Sequence, residues 1–127
     1  MKINFLDHVA IRVSNVEAST RWYEETLGLK RLDTQEYWGP YPITVVAGES
    51  GIALFPEVEG GEHKKVTPSM HIAFNVDKES FRSFQRTFEQ KGIGFSFEDH
   101  HWFHSIYIND PDGYKVELTT LVMESPA

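Results

Sequence analysis

His8-Val9-Ala10-Ile11-Arg12-Val13 recurs 63 positions later as His71-Ile72-Ala73-Phe74-Asn75-Val76. Both stretches alternate a small or polar residue with a branched or aromatic one, the period-two pattern of a strand with one buried face. Each is followed by the same signals in the same order: a capping residue, an amphipathic run, a glycine, and three further strand-like stretches. The chain therefore reads as one unit written twice. A duplicated half is a supersecondary unit that needs its sister to bury a face.

In the first copy, Ser14-Asn15-Val16-Glu17 predicts a capping box in which the Ser14 hydroxyl accepts from an early amide and Glu17 reaches back. The helix should run to about Leu27, burying Val16, Trp22, Tyr23 and Leu27, with Gly28 as its left-handed stop. Strands are expected over 29–34, 41–47 and 52–55, the last two joined by Gly48-Glu49-Ser50-Gly51. Residues 57–68, with Gly60-Gly61 and many charges, have little to bury and read as a linker that also holds His63. The second copy opens with a strand over 70–76. Asp77 is its N-cap, Phe81, Phe84 and Phe88 fall on one helical face, and Gly92 is its stop. Strands follow over 94–97, 103–109 and 114–120, the last two linked by the turn Asp110-Pro111-Asp112-Gly113. The expected fold is α+β: one domain over 1–127, built of two paired βαβββ modules, about 4–56 and 69–121.

Composition removes several functions. The absence of cysteine excludes thiolate catalysis, iron–sulfur clusters and cysteine–zinc sites, and fits a reducing compartment. A net charge of −7 argues against a nucleic-acid partner, because a phosphate backbone selects a basic face. No apolar run approaches the roughly 18–20 residues of a membrane span, and no secretory signal opens the chain. The expectation is a cytoplasmic protein with a small-molecule partner and with neither nucleic acid nor membrane.

Strand parity then selects candidate ligands. His8, Ala10 and Arg12 share one face of the first strand; His71, Ala73 and Asn75 share the matching face of its repeat; Lys115, Glu117 and Thr119 share a face of the last strand. The 63-residue displacement also carries Leu54 onto Glu117. Two sheets side by side about a pseudo-twofold axis would make a half-open mixed barrel whose concave wall collects His8, His71, Glu117 and Leu54. A lone strand histidine is more often a packed or surface residue than a ligand. A second histidine at the matching place, with a carboxylate flanked by Val116 and Leu118, favours a metal, since a buried carboxylate is costly unless paired or metal-bound. The competing reading of Glu117 is a rim salt bridge to Arg12 or Lys115.

Two neutral imidazoles and one carboxylate bind a divalent first-row ion and leave positions open for substrate and water, as in non-haem Fe(II) oxygenases. Such a centre keeps a net charge of about +1 and favours an anionic, chelating substrate. The ligands accept Fe(II), the expected ion, and also manganese, nickel, cobalt or zinc.

With these residues in view, the chain resembles the vicinal oxygen chelate superfamily, which includes glyoxalase I, extradiol dioxygenases, fosfomycin-modifying enzymes and bleomycin-resistance proteins. The resemblance is carried by the paired modules, by the histidine that opens each, and by the closing Asp110-Pro111-Asp112-Gly113-Tyr114-Lys115-Val116-Glu117-Leu118. It implies the metal ligands His8, His71 and Glu117. The position of a fourth, glutamate ligand in glyoxalase I falls on Leu54, which cannot bind a metal, so the three-ligand pattern is nearer to extradiol dioxygenases and fosfomycin thiol transferases. In both of these groups a tyrosine corresponding to Tyr107 contacts substrate near the metal; a cross-strand aromatic is the alternative role. The thiol-transferase group is disfavoured by Ala10, where it carries threonine, and by the lack of an arginine after Glu117.

The resemblance thus implies a metal-dependent enzyme, with extradiol-type oxygenation ahead of glyoxalase-type lyase, isomerase or thiol-transferase chemistry. A bleomycin-resistance-like binder without catalysis is the alternative of a different class. Family members often exchange modules in homodimers, so a homodimer is expected. Secondary candidates are His100, His101 and His104 around Trp102, as an acid–base group or lid, and an aromatic wall of Tyr37, Trp38, Tyr41 and Trp102.

Overall fold

The computed structural model describes residues 1–58 and 71–126. Most of the expected linker, with His63, and the expected strand start at Met70 lie outside the described residues. The chain divides into two compact units, Met1–Lys65 and Val66–Ala127.

The first unit holds β1 (His8–Val13), α1 (Val16–Leu27), β2 (Lys30–Arg31), α2 (Gln35–Trp38), β3 (Ile43–Ala47) and β4 (Ser50–Pro56). Its sheet is open and mixed, in the order β1-β4-β3-β2, with β1 parallel to β4. α1 buries Val16, Ser19, Thr20, Tyr23 and Leu27 against β3 and β4, over Val13, Ile43, Val45, Ile52 and Leu54. Trp22 stands edge-on to Tyr23 and is only half-buried. The Thr20 hydroxyl returns a 2.7 Å bond to the Val16 carbonyl, so this polar residue enters the core satisfied.

The second unit repeats the order as β5 (His71–Asn75), α3 (Lys78–Lys91), β6 (Ser96–Asp99), β7 (Phe103–Asn109) and β8 (Lys115–Leu121), its sheet ordered β5-β8-β7-β6. Phe81 and Phe88 of α3, which packs on β8, are buried, as are Ile106, Ile108, Val116 and Leu118 of the sheet, while Phe84 is half-buried. The Asp110 turn is closed by its own side chain, whose Oδ1 accepts from the amides of Asp112 and Tyr114, each at 2.9 Å.

Local chemistry sets the element ends. Asp77 caps α3, accepting from the Ser80 amide at 2.7 Å. Gly28 and Gly92 end the helices at φ +71° and +69°, a conformation that side chains with a Cβ rarely adopt.

Four expectations are corrected. The cap of α1 is Asn15, not Ser14: Asn15 is extended and its Oδ1 accepts from the Ala18 amide at 2.9 Å. The strand expected over 29–34 is only Lys30–Arg31, because the chain then turns into the short helix α2, which periodicity over four residues cannot reveal. β3 begins at Ile43, after Pro42, which has no amide to give a ladder. β6 lies at Ser96–Asp99 rather than 94–97.

Candidate metal and substrate site

In the second unit, β5, β8 and β7 place their ligand-type residues on one face through register. Ala73 pairs with Glu117, and Glu117 with Tyr107; Ser105 pairs with Thr119. Glu117 is buried, 5% exposed. Its Oε2 accepts from the Ser105 hydroxyl at 2.6 Å, a charge-assisted length, and its Oε1 lies 3.1 Å from Nε2 of His71. Two ligands bonded at about 2.0–2.2 Å and roughly at right angles to one another stand about 3 Å apart, so this pair has the spacing of neighbours in a coordination sphere. Thr119 Oγ1, on the same strand face, is buried without a hydrogen-bond partner among the described residues.

Tyr107 sits beside this pair. Its ring meets that of His71 edge-on at 6.4 Å, and Lys115 Nζ stands 5.4 Å from its centroid. Its hydroxyl lies 2.8 Å from Nε2 of His100, and the imidazole is stacked on Phe103 with centroids 4.7 Å apart. Burial, and then the charge of Glu117, push the phenol above its ordinary value, so it remains a neutral donor at physiological pH.

In the first unit, His8 stands at the start of β1 on the corresponding face. Its Nδ1 is 2.8 Å from Asp7 Oδ2, the carboxylate–imidazole contact that orients a metal-ligating histidine and leaves Nε2 available. Beside it a cavity of about 590 Å³ is lined by His8, Trp38, Thr44, Ala53 and Phe55, with Leu32, Pro42 and Val46. Gly51, the register partner of His8, keeps its floor open; a Cβ there would lie 3.1 Å from the Val45 carbonyl and from Val46 Cγ1.

Among the described residues no group of three or more His, Asp or Glu side chains stands at metal-binding distance. In the second unit the buried Glu117 carboxylate, with one hydroxyl donor, and the His71 imidazole at ligand spacing are donor types that fit a divalent ion.

The register corrects the fourth position. Ala10 pairs with Ala53 in the way that Ala73 pairs with Glu117, whereas Leu54 pairs with Ile11 and is fully buried beneath α1. The counterpart of Glu117 is therefore Ala53, and Leu54 leaves the concave wall. The offset arises because the span from His8 to the cap of α1 is one residue longer than its repeat, while α3 is two residues longer than α1. An alanine is no more a ligand than a leucine, so the fourth position still supplies no metal ligand.

The three loop histidines do not cluster. His100 reaches Tyr107, His101 is exposed at φ +80°, and His104 lies on β7 with Nε2 3.5 Å from Asp99 and its ring edge-on to Phe97. Of the expected aromatic wall, Trp38 lines the cavity; Tyr37 and Tyr41 are exposed residues outside its lining, and Trp102 belongs to the other unit. Ser105 and Asp7 were not singled out from sequence. Parity offered a signal for Ser105, two residues before Tyr107 and so on the same face.

A family model described as Glyoxalase/Bleomycin resistance protein/Dioxygenase superfamily matches residues 5–118. The chain is 29% identical over 126 residues to Metallothiol transferase FosB of Staphylococcus epidermidis, covering 94% of this chain and 84% of that protein. It is also 29% identical over 114 residues to Glutathione transferase FosA of Serratia marcescens, covering 89% and 78%. A glyoxalase family protein from Bacillus anthracis shares the fold with a TM-score of 0.78 at 21% identity, covering 95% of this chain and 98% of that one. Among the described residues no helix is long and apolar enough to cross a membrane. With a family model spanning both copies of the repeat and two open βαβββ sheets to match, the chain belongs to the glyoxalase/bleomycin resistance/dioxygenase superfamily.

Proposed function

We propose that the protein is a divalent-metal-dependent enzyme that transfers a thiol to a small, oxygen-bearing electrophile, with His8, His71 and Glu117 as metal ligands. The observation that carries this reading is the buried Glu117 carboxylate, held by Ser105 at 2.6 Å and facing His71 Nε2 at 3.1 Å. The two transferase relatives favour this chemistry over extradiol oxygenation, which had led because Ala10 and the lack of an arginine after Glu117 counted against the thiol-transferase group. The preference for Fe(II) rested on oxygenation and goes with it; the proposal keeps a divalent ion.

A bound divalent ion supplies Lewis-acid polarisation of the substrate's oxygens. The chain's own residues do the rest. In the transfer, sulfur bonds to an electrophilic carbon as a carbon–oxygen bond breaks, and the oxygen gains the proton that the thiol gives up. Tyr107, kept as a neutral phenol, donates a hydrogen bond to the oxygen on which charge develops, and His100 fixes its hydroxyl from behind. Ser105 holds one oxygen of Glu117 so that the other faces His71. A homodimer is part of the proposal and is tested by sedimentation.

The test is loss of free thiol when protein loaded with Mn(II), Zn(II) or Fe(II) meets a panel of thiols and oxygen-bearing electrophiles. Thiol consumption that needs protein and metal, and is lost in Glu117→Gln, supports the transferase. Oxygen uptake with catechols and no thiol consumption would restore the oxygenase in its place.

A further inference from the structure

The two units present unlike faces. Register puts His71, Asn75, Ser105, Tyr107, Glu117 and Thr119 on the ligand face of the second unit, a mostly polar surface that also carries Ala73, Phe103 and Leu121. On the corresponding face of the first unit, Ala10, Gly51, Ala53, Phe55 and Val46 give His8 mostly apolar neighbours, with Thr44 and Arg12 as the polar members. The cavity of about 590 Å³ lies entirely within that first unit and falls in the range of small-molecule sites, roughly 300–1,000 Å³. Among the described residues, its charged lining is Asp7 and Glu49 beside His8, with no lysine or arginine. Arg12, on the His8 face of β1, is committed elsewhere: its Nη1 donates to the Pro56 carbonyl at 2.9 Å and its guanidinium lies 5.9 Å from the Phe55 ring centroid.

A small anion such as a phosphonate needs cationic or amide donors around it, and an apolar cup with two carboxylates repels it. An apolar ring suits the cup. Trp38 is 58% exposed on the short helix α2, so a large aromatic is held at the rim without contributing to the core. Ala53 and Gly51 keep the floor free of bulk, and Phe55 offers a second ring.

We infer that the cup beside His8 holds the apolar, ring-bearing body of the substrate, so that the substrate is an aryl-bearing molecule with a chelating oxygen head rather than a small anion. This rests on the proposed metal site for the head and on the cup alone for the body.

Two hydroxamates separate these contributions, because acetohydroxamic and 2-naphthohydroxamic acid share a chelating head and differ in body. Affinities are measured by calorimetry and tryptophan quenching on the full chain, metal-loaded and metal-free. The inference expects the naphthyl compound to bind at least tenfold more tightly in both states. Trp38→Ala and Ala53→Leu should each erase most of that preference while metal content, circular dichroism and sedimentation stay as in wild type. If the metal reading fails but the cup is right, the naphthyl preference persists and metal loading tightens neither compound. Equal affinity of the two hydroxamates, or a preference unchanged in both variants, overturns the inference. So does a Trp38→Ala protein whose oligomeric state changes while naphthyl binding does not, since Trp38 would then face a second copy.

Discussion

The Ser105 hydroxyl donates to Glu117 Oε2 at 2.6 Å, which leaves Oε1 as the carboxylate oxygen turned toward His71. A ligating carboxylate is usually aimed by such a partner, and losing it typically costs 10–100-fold in metal affinity. Ser105→Ala is therefore expected to weaken metal binding by roughly that factor with circular dichroism unchanged, as measured by competition with a chelating dye. Unaltered affinity would mean that the serine only satisfies a buried acid.

Tyr107→Phe keeps the ring that stands against His71 and removes the hydroxyl bonded to His100. Turnover should fall by about 10²-fold with metal content unchanged, the scale on which one positioned proton or hydrogen-bond donor acts. A change in KM alone would assign the phenol to substrate binding.

Asp77 offers a pH test. The Ser80 amide and hydroxyl hold its carboxyl below the ordinary value of 3.8. Since the folded value is depressed, the contribution of the cap is complete above the unfolded value and disappears as pH falls through the folded one. Asp77→Ala should lower the melting temperature by a few degrees at pH 7, and the gap should close as pH drops below about 3.8. Asp77→Asn, which keeps the acceptor without a proton to gain, should show no such closure.

Phe88, 1% exposed, lies in the core of the second unit, while Phe84 next to it on α3 is half-buried. Phe88→Ala should cost about 3–5 kcal/mol in urea unfolding. Phe84→Ala should cost clearly less, because less of its surface leaves water on folding.

The sequence made local features legible. The alternation after His8 and His71, the Asp77 cap, the glycine stops and the Asp110 turn are each decided within a few residues, and all are present in the structure. Features set by distant partners were not legible. Leu54 was matched to Glu117 by counting, but the register against β1 depends on the length of the intervening helix, and a one-residue slip moves a side chain to the opposite face. Ser14 and Asn15 are both good caps, and sequence could not choose between them. Of the site, residue types and parity were readable; the Ser105 and His100 contacts needed cross-strand register and the course of a hairpin loop.

The metal content of protein purified without chelators tests the central claim most directly, by elemental analysis of wild type beside His8→Ala, His71→Ala and Glu117→Ala. The account predicts about one ion per chain in wild type and its loss from each variant, with circular dichroism unchanged. A metal-free wild type that binds no added divalent ion, or variants that retain the wild-type complement, would contradict it.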